Sequence, residues 1–253
     1  MDLGLHDRVF VLTGASKGLG YATAAALVAD GARVVISSRS SSLVSAAVSR
    51  LGPLAHGLAA DLSDSSTPSQ LVDAAMGHFG RFDGALISVG GPRPGTAAAV
   101  SDSAWRDAFE TVFLGSVRAA RVFATALAAG DGGAIGLVLS RSSREPLRGL
   151  GLSNGLRPGL AGVAKDMSDE YGPQGVRFVS LLPGSILTDR SREMFEAGGD
   201  PERASEEAGA KVPLRRIGTP EEFGRVAAFC LSPAASYLTG ITLPVDGGAL
   251  RGL

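Results

Sequence analysis

The sequence predicts a doubly wound α/β fold, in which helices cover both faces of a seven-stranded parallel sheet. Short apolar runs alternate with amphipathic helical segments over nearly all of the 253 residues. This alternation is typical of βαβ units and therefore of a parallel sheet. A glycine-rich turn joins the first strand to the first helix. Because no linker, low-complexity stretch or internal repeat divides the chain, we expect one domain over residues 1–253.

The predicted elements follow from the length and pattern of each apolar run. Short continuous runs indicate buried strands at Val9–Leu12, Arg33–Ser37, Leu54–Ala59, Phe82–Val89, Ala134–Leu139, Val176–Leu182 and Ile241–Val245. Longer segments indicate helices at Tyr21–Ala29, Ser41–Leu51, Pro68–Phe79, Asp102–Ala129, near Pro158–Tyr171, and at Pro220–Leu231. The charged stretch Arg190–Ala210 is predicted to be a mobile lid over a substrate. Ligands of such folds bind outside the carboxyl ends of the strands.

Composition narrows the classes of partner. The net charge of −1 argues against nucleic acid or an anionic membrane as the main partner. No uninterrupted apolar run approaches the roughly 18 residues that span a bilayer, and the first residues lack the pattern of a signal peptide. No histidine or cysteine cluster has metal-ligand spacing, so no metal site is expected. The single cysteine, Cys230, is expected to be a small buried hydrophobe. We expect a cytoplasmic protein.

The turn Thr13–Gly20 has the properties of a pyrophosphate-binding loop. Gly14 permits the sharp corner after the first strand, and Gly18 lets the backbone approach phosphates closely. Gly20 lets the following helix pack closely, while the N–H groups at the helix start face the anion. An ordinary strand–turn–helix is the alternative, but the strand before and the apolar helix after favour a Rossmann-type dinucleotide site.

Further segments along the chain extend this pattern. They are the pair Asp61-Leu62, the segment Leu182–Thr188 with its Pro183-Gly184, and the tail segments Val212–Gly218 and Val245–Gly248. Together with the glycine turn, and in this order, they resemble the short-chain dehydrogenase/reductase family along almost the full length. The resemblance is to oxidoreductases such as the 3-oxoacyl-(acyl-carrier-protein) reductases, and this closer likeness is one of fold alone.

The resemblance implies a set of site residues. Those implied or predicted to bind the cofactor are Gly14, Ser16, Lys17, Gly18, Leu19, Arg39, Asp61, Leu62, Gly90, Arg157, Pro183, Gly184, Ile186 and Thr188. In the family the acid of the Asp-Leu pair usually meets the adenine amine, and the Pro-Gly segment packs against nicotinamide. The catalytic residues expected here are Ser140, Ser153 and Arg157.

The residues after the second strand favour NADP(H) over NAD(H). A carboxylate at that point would accept hydrogen bonds from a ribose 2′-hydroxyl and repel a 2′-phosphate. The sequence has Ser37–Ser40 there, without a carboxylate. Arg39 offers a planar pair of donors to a phosphate, and Lys17 adds a second cation nearby. The alternative is that Arg39 is a solvated surface arginine.

The catalytic segment departs from the family pattern. A typical member has a serine after strand five, a tyrosine about thirteen residues later, and a lysine four further on. Ser140 fills the serine position, but Ser153 and Arg157 stand where the tyrosine and lysine are expected. The asparagine usual in the long helix aligns with Val112, and the usual Asn-Asn-Ala-Gly after strand four is replaced by residues 87–90, Ile-Ser-Val-Gly. Three of the four usual catalytic positions are therefore changed.

These replacements restrict the chemistry. A serine hydroxyl is a far weaker acid than a phenol of pKa near 10, so Ser153 alone is a poor proton donor. Arg157 stays protonated but can bind a ribose or stabilise an oxyanion. Their four-residue spacing puts both on one face if both are helical, but Pro158 is tolerated only in the first turn of a helix. The alternative is that Ser153 or Asn154 is simply a helix N-cap.

The charged residues of the following loop have two interpretations, one of which is a site for an anionic substrate. Arg141, Arg144 and Arg148, together with Arg157, would form an anion-selecting rim, in which Glu145 is the local carboxylate. The other interpretation, which the sequence favours, is that these are solvated loop charges.

The sequence thus supports three functional hypotheses. The first is an atypical NADP(H)-dependent oxidoreductase that moves a hydride between nicotinamide and a small carbonyl or alcohol substrate. The second is a catalytically silent NADP(H)-binding sensor, and the third a lyase or isomerase without net redox chemistry. Because segments 102–129 and 158–171 resemble the family's dimer-forming helices, we expect a homodimer or homotetramer.

Overall fold

A seven-stranded parallel sheet lies at the centre of the structure, a computed structural model that describes residues 2–196 and 199–252. The strands are β1 Val9–Leu12, β2 Arg33–Ser38, β3 Ala55–Ala59, β4 Gly84–Ile87, β5 Gly133–Val138, β6 Val176–Pro183 and β7 Ile241–Val245. Their order in the sheet is β3-β2-β1-β4-β5-β6-β7, and every neighbouring pair is parallel. The order reverses between β1 and β4, so the doubly wound prediction is confirmed.

Helices cover both faces of this sheet. They are α1 Gly18–Ala29, α2 Ser41–Leu51, α3 Thr67–Phe79, α4 Asp102–Ala108, α5 Gly115–Ala128, α6 Gly151–Tyr171, α7 Asp189–Glu196, α8 Pro201–Ala210 and α9 Pro220–Leu231. Helices α3, α5 and α6 bury apolar side chains on one face, and α1, α2 and α9 on the other. Successive residues of a strand point to opposite faces of the sheet. In β1, Val9 and Val11 therefore belong to the first core, and Phe10 and Leu12 to the second.

Most predicted strand and helix bounds hold to within two residues, although α1 begins at Gly18, three residues before the predicted Tyr21. The largest difference is at the start of α6. That helix begins at Gly151, seven residues before the predicted start at Pro158. Proline inside a helix removes one hydrogen bond, here the one to the carbonyl of Asn154. The burial of Leu152, Leu156 and Leu160 at four-residue spacing against the sheet compensates for this loss. Tertiary packing therefore extends α6 past its proline.

The long helix predicted at 102–129 is interrupted by one π-helical turn. Phe109–Leu114 forms this turn between α4 and α5. The hydroxyls of Thr111 and Ser116 donate to the carbonyls of Asp107 and Val112, at 2.7 and 2.6 Å. A π turn holds one extra residue, and such turns are frequent at functional sites.

By length and composition alone, the segment Asp102–Ala128 would be apolar enough to cross a membrane. In the structure Ala119, Ala120 and Phe123 of this segment are buried in the core that faces β4 and β5. The segment therefore packs as a core helix. A buried core helix can have the same length and apolar composition as a membrane-spanning one.

The stretch predicted to be a lid contains α7 and α8, which pack against each other. Helix α8 has a side-chain N-cap, because the Asp200 carboxylate accepts from the N–H of Arg203. Pro201 occupies the first helical position, where proline is favoured. Residues 197 and 198 of the predicted lid lie outside the described residues.

Candidate functional site

A cleft of about 380 Å³ opens at the carboxyl edge of the sheet. It lies among the segments that follow β1, β4, β5 and β6, which is where a doubly wound fold places its ligands. The lining residues are Gly14, Lys17, Gly18, Leu19, Gly20, Ser88, Val89, Gly90, Gly91, Pro92, Pro94, Val138, Leu139, Ser140, Leu150, Ser153, Arg157, Pro183, Thr188 and Asp189.

The glycine turn forms one wall of the cleft with a backbone that only glycine adopts easily. Gly14 and Gly18 have φ of +57° and +60°. A Cβ on Gly14 would lie 2.5 Å from the carbonyl oxygen of Ser88, and one on Gly20 would lie 2.7 Å from the carbonyl oxygen of Gly14. At Gly18 the nearest atom to such a Cβ is the Thr188 methyl at 3.8 Å, so its backbone faces the cleft.

The start of α1 fits an anion. Its N-cap residue, Lys17, makes no side-chain capping bond, so no side chain there satisfies the first N–H groups of a twelve-residue helix. Uncapped N–H groups and the helix dipole together attract phosphate. The residues present therefore fit a dinucleotide pyrophosphate.

Two hydrogen bonds hold this turn against the segment after β4. The Thr13 hydroxyl donates to the carbonyl of Ser88 at 2.9 Å and accepts from its N–H, also at 2.9 Å. Thr13 is buried, so water does not compete for these bonds. The carboxyl ends of β1 and β4 are thereby fixed side by side beneath the cleft.

Three serines meet on the opposite wall. The Ser140 hydroxyl accepts from the N–H of Ser142 at 3.1 Å, and the hydroxyls of Ser142 and Ser153 lie 2.8 Å apart. Ser142 and Ser153 are buried, with 3% and 8% of their surfaces exposed. Ser140 and Ser153 line the cleft, whereas Ser142 lies behind them.

Arg157 is a buried cation one helical turn after Ser153. Only 4% of its surface is exposed, and its Nη1 donates to the carbonyl of Val138 at 2.9 Å. Both residues lie within α6 and both line the cleft, so they share one helix face as predicted. A guanidinium held here adds positive charge to the cleft that Ser140 and Ser153 also line.

Two loops form the outer wall and are hydrogen-bonded to each other. Gly95 N–H donates to the Gly149 carbonyl at 2.7 Å, and Gly151 N–H donates to the Gly95 carbonyl at 2.8 Å. The Asn154 side chain holds Leu147 through both its backbone groups, each at 2.9 Å. Apolar Pro92, Pro94 and Leu150 face the cleft from these loops.

The structure brings most of the predicted site residues together. Gly14, Lys17, Gly18, Leu19, Gly90, Ser140, Ser153, Arg157, Pro183 and Thr188 all line the cleft. The remaining predicted residues are Ser16, Arg39, Asp61, Leu62, Gly184 and Ile186, which are not among its described lining residues.

Several of these remaining residues have evident local roles. Asp61 is exposed, and its carboxylate accepts from the N–H of Ser63 at 3.0 Å. Arg39 is exposed just beyond the end of β2. The Ile186 side chain is buried and lines a second cavity with Leu214 and Phe223. Gly184 is in close contact with Asp246, since its Cβ would lie 2.6 Å from the Asp246 Cα.

Two of the alternatives for the catalytic segment are wrong. Neither Ser153 nor Asn154 is an N-cap, because α6 begins at Gly151 after Leu150. The arginines of the loop do not form a rim: Arg144 turns away to β7, where its Nη2 donates to the Thr242 hydroxyl at 2.7 Å and carbonyl at 2.8 Å. Arg141 lies 3.6 Å from Glu145, and neither these residues nor Arg148 is among the described lining residues. Arg144 and Arg141 are engaged instead by these partners on β7 and within the loop.

Sequence reasoning also missed residues of the site. Ser142, which bonds to Ser153, belongs to a 3₁₀ turn at Arg141–Ser143 that no sequence pattern signals. Val112, in the position of the family's asparagine, lies buried in the π turn rather than on the cleft wall. In residues 2–196 and 199–252, no group of three or more histidine, cysteine, aspartate or glutamate side chains could hold a metal ion.

Comparison with known proteins gives consistent matches over the whole chain. Residues 14–249 match the family described as enoyl-(acyl carrier protein) reductase. An uncharacterized oxidoreductase of Mycobacterium tuberculosis is 36% identical over 249 residues, covering 96% of this chain and 92% of the relative. Levodione reductase of Leifsonia aquatica is 33% identical, covering 96% and 94%.

Solved structures agree. L-sorbose reductase of Gluconobacter frateurii, complexed with NADPH and L-sorbose, superposes with a TM-score of 0.95 at 27% identity, covering 100% of both chains. A short-chain oxidoreductase of Pseudomonas aeruginosa PAO1, described as containing an atypical catalytic center, has a TM-score of 0.92 at 28% identity, again over 100% of both chains. The glycine turn, the sheet order and these matches together show that the chain belongs to the short-chain dehydrogenase/reductase family of oxidoreductases.

Proposed function

We propose that the protein is an NADP(H)-dependent oxidoreductase that interconverts a small carbonyl compound and its alcohol, with an atypical catalytic centre. One observation carries this proposal: a single cleft contains the glycine turn, Ser140, Ser153 and Arg157. A dinucleotide site and a set of oxygen-binding groups are therefore adjacent. We assign the catalytic roles to Ser140, Ser153 and Arg157.

The glycine turn and α1 would hold the pyrophosphate, and Pro183 and Thr188 would border the nicotinamide end. When bound, NADP(H) supplies or accepts a hydride at nicotinamide. Preference for the phosphorylated form rests on the exposed cations Lys17 and Arg39 and on the absence of a carboxylate at the end of β2. The NADPH bound to the similar L-sorbose reductase is consistent with this choice.

The substrate oxygen would lie against the hydroxyls of Ser140 and Ser153. Arg157 stays protonated, so it adds positive charge near that oxygen but does not exchange protons. A serine hydroxyl is too weak an acid to act alone, so the proton comes from water, directly or through Ser153. The apolar side chains Pro92, Pro94 and Leu150 would hold the carbon skeleton, and α7 with α8 would form the lid.

A spectrophotometric screen tests this function. Purified protein is mixed with NADPH or NADH and with ketones, acyl thioesters, levodione and L-sorbose, and cofactor oxidation is followed. We expect turnover of at least one carbonyl compound, faster with NADPH. Binding of NADPH without turnover of any compound would contradict the catalytic proposal and leave the cofactor assignment standing.

A catalytically silent NADP(H)-binding protein is the second candidate. It is favoured by the Ser142–Ser153 contact, because Ser153 stands in the position of the family's tyrosine and its hydroxyl is already bonded to another side chain. The double variant Ser153→Tyr with Arg157→Lys separates the two functions. If the native pair is catalytic, the double variant should not simply gain activity on generic ketones. If the native protein is inactive and the double variant reduces generic ketones, the result would support the catalytically silent protein.

Self-association through α4, α5 and α6 is also proposed. Phe109 is 45% exposed and stacks on Phe113 with ring centroids 5.1 Å apart. Light scattering after size exclusion would distinguish a dimer or tetramer from the 25.6 kDa monomer.

A further inference from the structure

We propose that Ser142 is a positioning residue that turns both cleft serines into hydrogen-bond donors, so that the site selects an acceptor oxygen. This inference rests on the proposed function for the identity of the ligand, and its test needs no turnover. Ser142 makes both relevant contacts, one through its backbone and one through its side chain.

The first step concerns the direction of the Ser142–Ser153 hydrogen bond. In the part of the chain that the structure describes, Ser153 Oγ is the only hydrogen-bond partner of Ser142 Oγ. Ser142 is 3% exposed, so a proton turned elsewhere would be buried without an acceptor. Ser142 therefore donates and Ser153 accepts. The Ser153 proton is left to point into the cleft that Ser153 lines.

The second step concerns Ser140. Its hydroxyl accepts from the N–H of Ser142 at 3.1 Å, which occupies a lone pair on the protein side. Ser140 also lines the cleft and is partly exposed. Its proton is then available to a ligand in the cleft, as is that of Ser153.

Two donors beside the buried Arg157 cation form a site for a carbonyl or alkoxide oxygen. Each hydroxyl already accepts one hydrogen bond from Ser142, which strengthens it as a donor. The same arrangement disfavours ligands that offer only donors. Ser142 thus acts through Ser140 and Ser153 without itself reaching the cleft.

The test uses cyclohexanecarboxamide, an amide whose carbonyl accepts hydrogen bonds but is not reduced. The probe is titrated into the complex of each variant with NADPH, and nicotinamide fluorescence is recorded. NADPH affinity is measured first, so loss of the cofactor site is separated from loss of the oxygen site. Thermal melting monitors the fold of each variant.

We expect Ser142→Ala to weaken amide binding about 3- to 10-fold, as loss of one neutral hydrogen-bond contribution implies, with NADPH affinity unchanged. Ser142→Cys keeps the volume with a weak donor and should show a loss in the same direction. The matched control is Ser143→Ala in the same 3₁₀ turn, whose buried Oγ has no hydrogen-bond partner among the described residues. That control should bind the amide as the native protein does.

Coupling to Ser153 distinguishes positioning from a general structural effect. If Ser142 acts through Ser153, part of its effect is absent when Ser153 is already alanine, so the double variant binds more tightly than the sum of the single losses predicts. Strictly additive losses, unchanged binding in Ser142→Ala, or no amide binding by the native protein with NADPH bound would each overturn the inference.

Discussion

At the scale of single residues, the candidate reaction centre depends on short hydroxyl side chains and a buried guanidinium. Ser140 and Ser153 reach the cleft only because the strand end and the first turn of α6 bring their backbones to its wall. Arg157 is fixed from behind by the Val138 carbonyl, so its charge has a defined position. This centre is suited to holding and polarising an oxygen rather than to donating a proton from a side chain of its own.

The Arg157 side chain should be needed for both stability and activity. Arg157→Met removes the buried charge and leaves the Val138 carbonyl without its donor, a loss of about 1–3 kcal/mol for a buried acceptor. We expect a lower unfolding midpoint in urea and at least a tenfold fall in kcat/KM on any carbonyl substrate found. Arg148→Met, in the exposed part of the preceding loop, is the control and should change neither quantity. If Arg157→Met keeps the native activity, Arg157 is not a catalytic residue.

Arg39 should determine the cofactor preference. Arg39→Asp replaces a phosphate-binding cation by a carboxylate that repels the 2′-phosphate and accepts from a 2′-hydroxyl. Since hydrogen bonds to charged groups contribute about 1.5–3 kcal/mol, NADPH affinity should fall roughly 10- to 100-fold while NADH affinity is retained or rises. Calorimetric titration of both cofactors measures this. Arg225→Asp makes the same charge change on the exposed side of α9 and should leave both affinities unchanged, whereas equal NADPH affinity in Arg39→Asp would show that Arg39 is merely solvated.

The residues of the site differ in how far the sequence reveals them. The location of Ser140, Ser153 and Arg157 on the cleft wall could be predicted because their spacing along the chain matches a family pattern. Ser142 could not, since its role depends on a 3₁₀ turn that folds its side chain back onto α6. The hydrogen bonds of Arg144 could not be predicted either, because its partner Thr242 lies 98 residues away in the chain.

At the scale of elements, start and stop signals explain which bounds could be predicted. Helix α9 is capped by Thr219, which forms a complete capping box with Glu222, and its bounds Pro220–Leu231 match the prediction. Helix α6 starts after Leu150 with no side-chain cap and includes an internal proline, so its first two turns depend on burial and on bonds to the neighbouring loops, which no local pattern signals. The π turn between α4 and α5 has no local signal in the sequence either.

The capping box of α9 should give the fold an acid-sensitive contribution. The side chain of Arg216 and the N–H of Thr219 bond to the Glu222 carboxylate and lower its pKa from 4.5 to about 2. Because the folded-state pKa is depressed, the carboxylate stabilises the fold above the unfolded value and loses that effect as the pH falls from about 4.5 towards 2. The ion pair is partly exposed, so the effect is modest.

Urea unfolding of the native protein and Glu222→Gln at pH 7, 5, 4 and 3 measures this contribution. We expect the native protein to be the more stable at pH 7 and 5, with the difference narrowing at pH 4 and 3. Glu221→Gln, a neighbouring exposed residue in the same helical turn, is the control and should show less narrowing. A difference that is independent of pH would show that the carboxylate charge is not involved.

At the scale of the whole molecule, the parallel sheet and its two cores hold every segment of the cleft. This architecture could be predicted from the alternation of strands and helices along the chain. Within each buried strand, alternate residues face one core or the other. The relative placement of loops 90–97 and 144–150 follows from the fold as a whole. Their contacts join residues about fifty positions apart, so they could not be predicted from local pattern.

Cys230 should report opening of the whole fold. It is 1% exposed, and burial raises the pKa of its thiol to about 11. Native protein should therefore react with a disulfide reagent at pH 8 only as fast as it unfolds, because a thiolate and access are both required. In denaturant one thiol per chain should react at once, since the sequence has a single cysteine. Rapid labelling without denaturant would show that α9 opens locally.

The hydrogen bonds that join Gly95 with Gly149 and Gly151 have a consequence for changing substrate range by design. They make residues 90–97 and 144–150 one building block assembled from two distant stretches of chain. A loop grafted from a relative at only one of these places would lose its backbone partners at the other. Specificity should therefore be transferable between relatives only when both stretches are exchanged together, as a matched pair.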